Sequence, residues 1–118
     1  MKNLFLTLII LASLICSNSS AQTVFSSQHE LFVQAIKNGE AWGVMQGEIA
    51  EHFSREFRST GVLLVQAKSI RDFKQADCKR VETTFTKKDV STPNGLTDAI
   101  LKTQMNYCLD GSAPETLE

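Results

Sequence analysis

Cys78 and Cys108 are the residues of this 118-residue chain with the most readily named chemistry. A redox-active pair is usually spaced Cys-x-x-Cys at a helix start. These two lie thirty positions apart, which favours a structural disulfide in an oxidising compartment. The histidines are His29 and His52. Glu48, His52 and Glu56 recur at four-residue steps, a spacing that on a helix puts them on one face where a metal could bind. No His-Glu-x-x-His pattern accompanies them, and Arg55 and Arg58 lie close enough for ordinary surface charge pairing. We therefore assign neither metal nor cofactor. Gly-x-Ser-x-Gly is absent, and no glycine-rich phosphate loop follows a strand. A chain this small also offers little room for a carboxylate-lined substrate cleft. These observations predict a protein that is not an enzyme.

The compartment that a disulfide needs is written at the start of the chain. Lys2 is followed by an uncharged, mostly aliphatic run from Leu4 to Ile15, and Ser19 and Ala21 stand where a signal peptidase reads small residues. Residues 1–21 are predicted to be a signal peptide cut between Ala21 and Gln22. The apolar run is shorter than the ~20 residues that span a bilayer. The bulky Ile15 before Cys16 makes a poor lipobox, which speaks against a lipoprotein. The short positive region points to a bacterial periplasmic or secreted protein. Cleavage after residue 21 leaves 97 of 118 residues, enough for one domain with a modest core. The mature chain has no second long apolar run, so no integral membrane protein is expected. The formal net charge is −1 with both signs mixed, which gives no footprint for nucleic acid.

The elements that must hold the cysteines can be read in outline. Ser27-x-x-Glu30 is a capping-box pattern, Leu31, Phe32, Ala35 and Ile36 form an apolar stripe, and Asn38-Gly39 ends that helix. Trp42, Met45, Ile49, Phe53 and Phe57 recur at three- and four-residue steps and predict a second helix over 40–59. Gly43, Gly47, Ala50 and Ser54 make a small-residue stripe along it. This stripe is a close-packing face or a contact with a partner, unless a glycine breaks the helix. Residues 62–73 and 78–86 read as two strands joined by a short polar link, an antiparallel hairpin. Thr92-Pro93 reads as an N-cap with proline at the first helical position. Leu96, Ile100, Leu101, Met105 and Tyr107 then supply the apolar positions of a last helix, which Asp110-Gly111 ends. The expectation is a single α+β domain over 22–111. It has two N-terminal helices, a two-stranded antiparallel hairpin and a C-terminal helix, with a flexible tail over 112–118. Its predicted core is Trp42, Phe53, Phe57, Val65, Val81, Phe85 and Ile100.

The run Gln104-Met105-Asn106-Tyr107-Cys108-Leu109-Asp110-Gly111, with Cys78-Lys79-Arg80-Val81, resembles the KikA-like small exported proteins of conjugative-transfer and type IV secretion regions. The resemblance spans roughly Lys74 to Pro114 and rests on the cysteine pair and its flanks. It implies an accessory role in plasmid transfer or envelope secretion without known catalysis, and it carries over no functional residue beyond the two cysteines. The function expected is that of a non-enzymatic periplasmic protein with a protein partner in the cell envelope. The alternative is a small secreted inhibitor or toxin of the bacterial envelope, since such domains are also small and disulfide-closed.

Overall fold

Ser27 opens the first helix as the sequence predicts. Its hydroxyl accepts the Glu30 amide at 3.2 Å, while the Glu30 carboxylate takes the Ser26 amide at 2.8 Å. In the computed structural model, which describes residues 22–118, this helix is α1 (Gln28–Asn38). Gly39 ends it in the left-handed conformation. The segment read as a signal peptide, with Cys16, lies outside the described residues.

The remaining elements are β1 (Val24–Phe25), β2 (Glu40–Met45), α2 (Glu48–Phe57), β3 (Leu63–Asp72), β4 (Cys78–Thr92) and β5 (Gly95–Cys108). The strands form one five-stranded sheet in the order β1-β2-β3-β4-β5. β1 runs parallel to β2, and every other neighbouring pair is antiparallel.

This mixed sheet overturns the expected fold of three helices and one hairpin. Residues 40–59 are not a single helix. Ala41, Gly43 and Met45 alternate inward as a strand does, and α2 begins only after Gly47, whose φ is +90°. Trp42, Met45 and Ile49 straddle that junction, so their three- and four-residue steps mimic a helical face.

The predicted last helix is β5. Thr92-Pro93-Asn94-Gly95 is a hairpin turn rather than a helix start. Thr92 pairs with Gly95, its hydroxyl donates to the Gly95 carbonyl at 2.7 Å, and Gly95 takes φ +111°. Proline second and glycine last is the signature of a type I turn. The segment 22–26, ahead of α1, contains β1.

Both helices pack on one face of the sheet. Leu31, Phe32, Ala35, Ile36 and Phe53 meet Ala41, Met45, Leu63, Val65, Ala67, Val81 and Phe85 in one buried cluster. The Phe53 and Phe85 rings stack with centroids 5.3 Å apart. Phe53, Val65, Val81 and Phe85 are thus core residues as predicted. Trp42, Phe57 and Ile100 are not buried.

β1 explains one glycine. A Cβ at Gly43 would collide with the Thr23 carbonyl oxygen, so β1 can lie against β2 only if that position carries no side chain.

Cys78 and Cys108 face each other directly in the β4–β5 register and form the disulfide. Phe73 joins them in a small second cluster. Residues 112–118 return to the β3–β4 connection, where Lys74 donates its amide to the Glu118 carbonyl at 2.7 Å and Arg71 donates to the Leu117 carbonyl at 2.9 Å.

Candidate functional site

The period-two alternation that buries Ala41 and Met45 turns Trp42 the other way, onto a sheet face that neither helix covers. Trp42 is 61% exposed there. The strand registers set its neighbours. Trp42 stands opposite Gln66, which pairs with Thr84 and then Lys102. One step along, Val44, Leu64, Thr86 and Ile100 form the next row. Trp42, Leu64, Gln66, Thr84 and Thr86 line a shallow groove of about 290 Å³. Ile100 is also exposed at the far end of its row.

Toward the disulfide the same face becomes polar. Arg80 donates to Gln104 and to Asn106, at 2.9 Å each, and Gln104 donates to Glu82 at 2.9 Å. The face therefore has a region where Trp42, Val44, Leu64 and Ile100 stand among Gln66, Thr84, Thr86 and Lys102, and a region whose side chains are tied to one another. A large exposed aromatic carrying a polar N–H, set among small polar and aliphatic side chains, is suited to anchoring a protein surface.

The other side of the sheet holds a larger cavity of about 510 Å³ between β2, α2 and the approach to β3. Gly47, Ala50 and Ser54 line it. Gly43 lies instead under the β1 crossing, so the four small residues do not share one helix face. Lys87, only 1% exposed, reaches this region from β4. Its ammonium donates to Ser54 Oγ at 2.9 Å and to the Gly61 carbonyl. A serine–lysine contact can serve acyl transfer, but that chemistry also needs backbone N–H groups aimed at an oxyanion. Ser54 sits inside α2, where the amides around it are spent on the helix itself. Lys87 is a brace between α2 and the loop before β3.

The histidines are separated. His29 lies within 2.6 Å of the Tyr107 hydroxyl, and Tyr107 also packs edge-on against Phe32. Partial burial, helped by the Asp110 charge, raises the Tyr107 pKa. His52 and Glu56 line a groove with Phe53, Phe57 and Leu101. Among the described residues no cluster of three or more His, Cys, Asp or Glu is placed to hold a metal, and no helix is long and apolar enough to cross a membrane.

Sequence reasoning missed the open face because it assigned Trp42 and Ile100 to the core. The available signal was the alternation Glu40, Trp42, Val44 against Ala41, Gly43, Met45 directly after the Gly39 stop. No family model, curated protein or solved structure matches the chain.

Proposed function

We propose that this chain is a non-enzymatic, protein-binding accessory of the bacterial cell envelope that holds its partner on the open sheet face around Trp42. The observation that carries the reading is a tryptophan, 61% exposed, standing beside Val44 and Leu64 on a sheet face that neither helix covers. The signal-like first segment supports a periplasmic setting. The likeness of the cysteine flanks to KikA-like proteins supports conjugative transfer or type IV secretion as the apparatus served.

The test is complementation. In a donor strain deleted for this gene, the wild-type chain is expected to restore plasmid transfer. Trp42→Ala is expected to restore it at least about tenfold less well, the loss of a single anchor worth about 1.4 kcal/mol or more. Its periplasmic level and thermal midpoint should match the wild type. Full complementation by Trp42→Ala would overturn the assigned face. A deletion that leaves transfer unchanged would overturn the assigned apparatus.

A further inference from the structure

The two edges of the sheet are unlike. β1 is two residues long, whereas β5 is fourteen residues long and, among the described residues, has no strand on its outer side. Natural edges are blunted by shortness, proline, bulges or several charges. β5 has no proline, the register shift of the β4–β5 pair puts its extra residue on β4 between Lys87 and Val90 rather than on β5, and between Leu96 and Tyr107 the charges of β5 are Asp98 and Lys102 alone. Leu96, Ile100, Leu101 and Met105 are all exposed along it.

Which β5 backbone groups face outward follows from two hydrogen bonds at opposite ends of β4. The Cys108 amide donates to Ser112 rather than to β4, so Cys78 and Cys108 are a non-hydrogen-bonded pair. The Lys88 amide donates to Val62, so the even-numbered residues of this part of β4 bond to β3 and the odd-numbered ones to β5. Both anchors give the same answer. Ala99, Leu101, Thr103 and Met105 bond to β4, and Ile100, Lys102 and Gln104 point their N–H and C=O groups away from the sheet.

We infer that β5 pairs antiparallel with β5 of a second copy about a two-fold axis through Ile100, joining two sheets into one of ten strands. The outward-facing groups restrict which registers can form, and charge selects among them. A two-fold about Asp98 or about Lys102 sets like charges face to face, which opposes pairing. One about Ala99 sets Asp98 against Ile100 and Lys102 against Leu96. One about Leu101 sets Asp98 against Gln104 and Lys102 against Ile100. Only the axis at Ile100 sets Asp98 opposite Lys102, and symmetry makes that ion pair twice. Ile100 then meets Ile100 at the dyad, and Leu101 meets Ala99 on the helix side. Asp98 already accepts from Lys88 at 2.8 Å, and its carboxylate has the capacity to take a second cation. Cross-strand neighbours share a face, so the two Trp42 groups would lie on the same side of the joined sheet.

This pairing does not rest on the Trp42 reading, because its readout is the oligomeric state rather than transfer. Sedimentation equilibrium of the exported wild-type protein is expected to give a dimer. Asp98→Lys and Lys102→Asp each convert two opposite-charge contacts into two like-charge contacts. Each should raise the dissociation constant about tenfold or more. The double variant Asp98→Lys/Lys102→Asp restores opposite charges and should recover the wild-type constant. Ile100→Pro removes an outward N–H that the β4–β5 ladder does not use, so it should give a monomer with an unchanged circular dichroism spectrum. A wild-type protein that stays monomeric up to millimolar concentration overturns the inference, even if its edge accepts a strand of another protein. So does a dimer that the single charge variants leave intact, or one that the double variant fails to restore. Should Ile100→Pro unfold, the charge swap alone decides.

Discussion

Consecutive residues of β4 experience two different solvents. Val81, Thr83, Phe85 and Lys87 are buried against the helices, while Glu82, Thr84 and Thr86 lie on the open face and are only partly covered. The strand is regular through this stretch, so the difference is one of covering alone. On the helix side, side-chain shape is constrained by packing and each change should register as stability. On the open side, side chains are free of that constraint and are available to a partner. The face around Trp42 and the edge at Ile100 are both surface that the helices leave uncovered.

Phe85→Ala should have the largest effect on stability. It removes the ring stacked on Phe53 and leaves a cavity under α2, for a loss of about 3–5 kcal/mol in urea denaturation. Thr86→Ala, one residue on, should stay within about 0.5 kcal/mol of wild type. Equal losses at the two positions would mean that the open face is covered in solution.

The disulfide is where the open face is locally closed, since Phe73, Cys78 and Cys108 bury one another at its polar end. Its loop of 30 residues predicts that Cys78→Ala/Cys108→Ala costs roughly 3–4 kcal/mol in the chain-entropy account. A loss near zero, or a free Cys78 thiol in protein taken from its native compartment, would remove the disulfide from the account of stability.

The smallest difference between the two faces is expected at Thr83 and Thr84. Thr83 is fully buried, and its hydroxyl has no hydrogen-bond partner among the described residues. Thr83→Val should therefore stabilise by about 1 kcal/mol. Thr84→Val, on the other face, should leave the unfolding midpoint where it was.

How much of this was legible depended on how far each signal reached along the chain. α1 could be read because its start, stripe and stop lie within thirteen residues, Ser27 to Gly39. β3 and the first part of β4 were legible from alternation. The cysteine pairing was legible because few cysteines remain after the first segment. β2 was hidden because its apolar residues continue the spacing of α2, and a periodicity window does not detect the left-handed turn at Gly47 between them. β5 was hidden because Leu96, Ile100, Leu101 and Met105 sit at helical intervals, and Thr-Pro is equally at home at a helix start and in a turn. The Asn-Gly that follows decides for the hairpin. These two errors also explain the open face. With residues 40–59 and 93–110 read as helices, Trp42 and Ile100 had a core to enter. In the sheet, alternation turns both away from it.

The disulfide also has a topological consequence. The β4–β5 hairpin is shut at one end by the Pro93-Asn94 turn and at the other by a covalent bond, so its backbone is a closed ring with a ladder inside. A strand in such a ring cannot slide by two residues without leaving Cys78 and Cys108 out of register, and it cannot peel away from its free end. Exchange of β5 between copies, the usual route to a swapped dimer, would require the ring to be reduced first. While it is oxidised, the edge of this sheet can accept a neighbour but cannot give its own strand away.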